Sequence, residues 1–175
     1  KYQGSPAASR VRAAKDKRLE WYDIRTTSQE DIVALARKET TDFDKVRMIH
    51  DWVADIFAYD HDLLSWMENV SGRNAEFTLG ELIKRTRGVC FEYAILFWFL
   101  MDSSGVETYF ISDYSEPGIA HAYNMVVIGG TGYIIDTTWD SGNRYQSGKI
   151  VQFDRLVTKE YFMPDVAQSY RSRGW

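Results

Sequence analysis

One cysteine and a small set of histidines and carboxylates are the residues of this chain able to attack a carbonyl group. Cys90 follows Gly88-Val89 and opens a long apolar run. It therefore stands at the N-terminus of a predicted helix, where unpaired backbone N–H groups and the positive end of the dipole favour a thiolate. Gly88 lets the backbone turn and leaves the sulfur open. A free cysteine is more often a small buried hydrophobe, so its position alone does not make it a nucleophile. It needs a base, and the base needs an orienting group. The chain has three histidines. His50 falls inside a predicted helix and reads as a packing or surface residue. His61 reads as a helix-end loop residue, and its spacing from His50 fits no common two-ligand metal motif. His121 is different, because it opens the strand pattern His121-Ala122-Tyr123-Asn124-Met125-Val126-Val127-Ile128.

Asp136 interrupts the apolar run of the next strand, Tyr133-Ile134-Ile135, where a buried carboxylate requires a partner. Side chains alternate faces along a strand, and a hairpin with an even-numbered loop pairs residues whose numbers sum to an odd value. His121 and Asp136 meet that condition. With Gly129-Gly130 as the turn, Asp136 faces Tyr123 and lies one diagonal step from His121, about 7–8 Å between Cα atoms. A three-residue loop would put the two on opposite faces. Helix-start cysteine, strand histidine and same-face aspartate together form the nucleophile, base and orienter of a thiol acyl-transfer site.

The elements that must hold these residues are legible in outline. Ser28 and Asp31 mark a helix start ahead of Ile32, Val33, Leu35 and Ala36. Val46, Ile49, Val53 and Ile56 recur at helical spacing and predict a helix over 44–57. Thr78 and Glu81 have capping-box spacing before a short helix. From Cys90 the sequence is apolar nearly all round as far as Met101, the mark of a helix buried inside a domain, and Gly105 stops it. Strands are then predicted over 106–111, 120–128, 133–138 and 149–153, with Gly129-Gly130 turning a hairpin. Helices first and antiparallel strands later predict an α+β fold.

Composition narrows the function. The chain has 175 residues, 26 of them aromatic, and a formal net charge of −4. That length buries a real core. The negative balance speaks against nucleic acid as a partner. The charged segment 10–20, with Arg10, Arg12, Lys15, Lys17 and Arg18, reads as a solvated helix face. One cysteine excludes an intrachain disulfide framework and cysteine-rich zinc sites. No apolar run reaches the roughly 18 residues of a transmembrane helix. The chain starts at Lys1 without an apolar leader segment, which fits a mature product whose leader has been removed. An extracytoplasmic location is the expectation.

Three segments carry a resemblance. Gly88-Val89-Cys90-Phe91-Glu92-Tyr93-Ala94, His121-Ala122-Tyr123-Asn124 and Asp136-Thr137-Thr138-Trp139-Asp140 resemble the active-site motifs of the transglutaminase-like superfamily, which includes papain-related peptidases and glycan-removing amidases. The likeness extends over about residues 40–163 and makes 1–40 a partly helical extension of a catalytic domain over 41–175. It implies a transglutaminase-like/cysteine-proteinase fold, with the Cys90 helix packed on the sheet bearing His121 and Asp136. It makes Cys90 the nucleophile, His121 the base and Asp136 the orienter. The Cys90 N–H is one oxyanion donor, and Trp52 and Tyr59 are both candidates for the second. Glu92, Tyr123 and Trp139 are the expected cleft residues, although a tryptophan such as Trp139 is more often a core ring. Calcium-dependent relatives carry acidic loops, and no Asp-x-Asp-x-Asp-Gly loop occurs here, so no metal and no other cofactor is expected.

The activity so implied is attack of Cys90 on a peptide or amide carbonyl to form a thioester. Hydrolysis is favoured over cross-linking, which needs a water-excluding tunnel. The expected substrate is a protein or peptide, cell-wall peptide included. The alternative is a non-catalytic peptide- or glycan-binding domain that keeps the fold.

Overall fold

The computed structural model describes residues 28–69, 78–116, 119–152 and 162–165. The predicted charged helix over 10–20 lies outside the described residues. Ser28 caps the first helix, α1 (Gln29–Ala36), by accepting the Asp31 N–H, and Thr41 does the same for α2 (Asp42–Ile56) at Asp44. Strand β1 (Ala58–Asp60) and helix α3 (His61–Asn69) follow. Helix α4 (Leu79–Arg85) has the expected capping box between Thr78 and Glu81, and Thr86 ends it in the left-handed region at φ 49°. A two-residue strand, β2 (Arg87–Gly88), then leads into α5 (Cys90–Ser103). Gly105, at φ 80°, turns the chain out of that helix.

The second half is mainly sheet. Strands β3 (Thr108–Glu116), β4 (Ile119–Ile128) and β5 (Thr131–Ile135) form an antiparallel meander. A one-turn helix, α6 (Thr137–Asp140), follows β5 directly. Strands β6 (Arg144–Gln146), β7 (Lys149–Gln152) and β8 (Phe162–Asp165) complete the described chain. The main sheet has the order β3-β4-β5-β8 and the smaller one β2-β1-β6-β7. The α+β architecture predicted from the sequence is the one observed.

Three expectations need correction. The strand predicted over 133–138 stops at Ile135, because the Asp136 carboxylate accepts the Trp139 N–H and starts α6. Of the smaller sheet, only β7 falls in a predicted strand, the one over 149–153. Its β1 and β2 are three and two residues long, too short for a period, and β1 pairs in parallel with both β2 and β6. Finally, α5 is not buried all round: Phe91, Trp98 and Phe99 are exposed on it.

The core lies between the helices and the main sheet. Met48, Ile49 and Val53 of α2, Tyr93, Leu96, Phe97 and Leu100 of α5, and Val126, Ile135 and Phe162 of the sheet are all buried there. Ile32, Val33 and Ala36 of α1 belong to the same cluster, so residues 29–36 pack with the elements that follow them. Where α2 ends, its carbonyl groups meet a polar plug. Asn143 donates through Nδ2 to the Asp55 and Phe57 carbonyls at 2.6 and 3.1 Å, and Ser141 Oγ donates to the Phe57 carbonyl at 3.1 Å.

Candidate active site

Cys90 is the first residue of α5 and is partly exposed. The turn before it is held from below. Glu92 curls back so that its Oε2 accepts the Val89 N–H at 2.8 Å. A Cβ on Gly88 would lie 2.5 Å from the Glu92 Cβ, so only glycine fits there; close approach imposes it. Glu92 is 3% exposed, and burial raises its pKa against the pull of the Val89 N–H. Expected in the cleft, Glu92 instead braces the turn before Cys90 from within.

The hairpin works as its parity requires. Gly129 and Gly130 take positive φ values of 60° and 79° in a two-residue turn, and Asn124 pairs with Ile135. The next pair in that register is Tyr123 with Asp136, which brings the carboxylate to His121. His121 Nε2 and Asp136 Oδ2 are 2.6 Å apart, and Asp136 is fully buried. The other oxygen, Oδ1, accepts the Trp139 N–H at 3.2 Å. One carboxylate thus fixes the imidazole and starts the helix that carries Trp139. That indole stacks on the His121 ring with centroids 4.7 Å apart and planes 15° apart. Tyr123 backs the imidazole at 5.9 Å.

Besides Asp136, Cys90 is the side chain that acts on His121, and Nδ1 is the ring nitrogen that the carboxylate leaves free of itself. Burial disfavours the imidazolium, but the hydrogen bonds and charges of Asp136 and Cys90 outweigh it and push the His121 pKa up to about 9. The ring is therefore protonated at neutral pH, a form that stacking on the Trp139 face also favours.

Trp52 and Tyr59 are placed differently. Trp52 is 3% exposed within the hydrophobic core. Tyr59 pairs with Gly88 across the β1–β2 ladder, two residues before Cys90. Burial and the nearby Cys90 charge push the Tyr59 pKa up to about 12, so its hydroxyl keeps its proton. Tyr123 is 6% exposed behind His121, whereas Trp139 is 36% exposed. Among the described residues, no group of three or more His, Cys, Asp or Glu side chains is arranged to hold a metal ion, and no helix is long and apolar enough to cross a membrane.

A second histidine turns out to be tied to the site. His50 is fully buried, with Nδ1 2.9 Å from Asp51 Oδ1 and Nε2 3.0 Å from Asp140 Oδ2. Burial opposes its charge, but the two carboxylates prevail and raise its pKa. Asp140 ends the same helical turn that Asp136 begins. Helical periodicity placed His50 correctly in α2 but said nothing of a partner 90 residues away. Asp140, standing next to a tryptophan at the end of a motif, was the only available hint.

Comparison with known proteins bears on this geometry. The family model for the transglutaminase-like domain matches residues 28–144. None of the curated proteins compared with the chain matches it. Among solved structures, the chain is similar to a TGase at 18% identity and a TM-score of 0.49, covering 80% of this chain and 39% of that one. It is also similar to a candidate cysteine protease from Cytophaga hutchinsonii, at 19% identity and a TM-score of 0.48, over 91% of this chain and 53% of the other. Legionella pneumophila LapG is similar at 16% identity and a TM-score of 0.37, over 83% and 94%. The chain thus spans 39% and 53% of the length of the first two. With well over half of its residues matched by the family model, the chain belongs to the transglutaminase-like domain family.

Proposed function

We propose that this protein is a thiol-dependent acyl-transfer enzyme acting on peptide or amide carbonyls, with hydrolysis as its outcome. One observation carries the reading: a single imidazole is held 2.6 Å from a buried carboxylate and has as its other charged neighbour a partly exposed sulfur at a helix start. The Cys90 thiolate attacks the carbonyl carbon and the C–S bond forms. The oxyanion is met by the Cys90 backbone N–H and by the Tyr59 hydroxyl, which is near enough to Cys90 to feel its charge, whereas Trp52 is a core residue. The C–N bond breaks as His121 gives its proton to the departing amine. Water then attacks the thioester while His121 takes a proton from it, and the thiolate leaves. Asp136 holds the ring in place for both transfers. A protein or peptide, such as a cell-wall peptide, is the substrate class.

Incubation with peptide libraries followed by intact mass spectrometry, with Cys90→Ala as control, tests this. Hydrolysis splits a peptide or converts a side-chain amide to acid, a gain of about 1 Da, whereas cross-linking loses about 17 Da. If the wild-type and Cys90→Ala spectra were identical, and Cys90 alkylated no faster than free cysteine near neutral pH, the proposal would fail in favour of a binding domain.

A further inference from the structure

The two sides of the nucleophile differ in character. On one side lies a polar row, with Gly88, Tyr59 and Arg144 as ladder partners across β2, β1 and β6. On the other, Phe91 directly follows Cys90 and is 47% exposed. Its ring meets Phe110 of β3 edge-to-face, with centroids 5.3 Å apart at 70°. Further along α5 the indole of Trp98, 38% exposed, donates through Nε1 to the Thr108 carbonyl of β3 at 3.1 Å. Phe91, Ile95 and Trp98 recur at i, i+4 and i+7, so they form one stripe on the helix, about 10 Å long at 1.5 Å rise per residue. Scattered exposed apolar side chains are ordinary on any protein. A stripe that begins at the residue after Cys90 and is bordered by the phenyl ring of a second strand, with the one acidic group of its first turn, Glu92, folded inward, has the character of a binding surface.

We infer that Phe91 and Phe110 form an apolar subsite that receives an aromatic or large aliphatic side chain next to the carbonyl attacked by Cys90. This rests on the proposed thiol chemistry and specifies its substrate: a peptide with a bulky apolar residue flanking the reactive bond. Phe91 is the specificity-determining residue. Its phenyl ring offers the edge and face that an incoming aromatic side chain packs against, and its attachment one residue from the sulfur fixes that side chain relative to the carbonyl.

The probe is a pair of alkylating reagents, iodoacetamide and N-benzyl iodoacetamide, reacted with the full chain and with free cysteine. Modification of Cys90, the sole thiol, is followed by intact mass. The ratio of the two rate constants, divided by the same ratio for free cysteine, isolates recognition of the benzyl group. The expected ratio is about fivefold or more in the wild type, about one in Phe91→Ala and intermediate in Phe91→Leu, which keeps an apolar side chain. Ile150→Ala, at an equally exposed apolar residue of β7, keeps the wild-type ratio. A wild-type ratio near one, or an undiminished ratio in Phe91→Ala, overturns the inference. Because recognition is read from the ratio, an unactivated thiol would be seen separately, as a slow absolute rate with iodoacetamide, and would count against the enzyme proposal alone.

Discussion

At the scale of single residues, the protonation of His121 decides what the site can do. With its pKa pushed up to about 9, the ring carries a proton at neutral pH, and in the proposed mechanism it would turn into a base only after releasing that proton to the leaving group. The three histidines give few enough ring signals for an NMR titration to follow each one. His121 is expected to titrate near 9, and Asp136→Asn is expected to lower that midpoint by a unit or more, as it removes a charged hydrogen bond. An unshifted midpoint in the variant would show that Asp136 does not set it. Gly88 is decisive for a steric reason. Gly88→Ala would drive a methyl group into the Glu92 side chain, and a loss of about 1–3 kcal/mol is expected in urea unfolding. Adding Glu92→Ala should leave most of the loss in place, because alanine keeps the Cβ that lies 2.5 Å away. The sequence revealed the glycine but assigned it to turning; that its lack of a side chain makes room for Glu92 depends on how the Glu92 side chain folds back, which no spacing rule contains.

At the scale of elements, α6 matters beyond its four residues. Its first carboxylate, Asp136, holds His121 and its last, Asp140, holds His50. A one-turn helix has little stability of its own, so these two anchors define its position. Asp140→Ala leaves His50 facing Asp51 alone in a buried site, and about 3 kcal/mol of stability should be lost in chemical denaturation. A loss below about 0.5 kcal/mol would show that the packing around Phe162, whose ring lies 4.7 Å from His50, suffices. The hairpin and its register were legible because strand parity and the Gly129-Gly130 turn are local. The start of α6 was not, since Ile-Ile-Asp-Thr-Thr has the composition of a strand and only the Asp136 cap ends it. The same limit hid the short parallel strands of the smaller sheet, which are made by long-range pairing.

For the whole molecule, two buried or nearly buried histidines with raised pKa values link folding to pH. His50 and His121 both bind a proton more tightly folded than unfolded. Their contribution is fully present below the ordinary imidazole pKa of 6.5 and fades as pH rises through the folded values, which for His121 is about 9. Urea midpoints are therefore expected to fall between pH 6.5 and 9, and to fall less in Asp136→Asn. A flat wild-type profile across that range would count against the linkage. The stacking of Trp139 on His121 carries this charge to the surface in another form. An indole stacked 4.7 Å from an imidazole is quenched by the protonated ring more than by the neutral one. Trp139 emission should brighten as His121 loses its proton near pH 9, and Trp139→Phe should erase the step while sparing the signal of the other five tryptophans. The protein would then report the protonation of His121 by light, with no label attached.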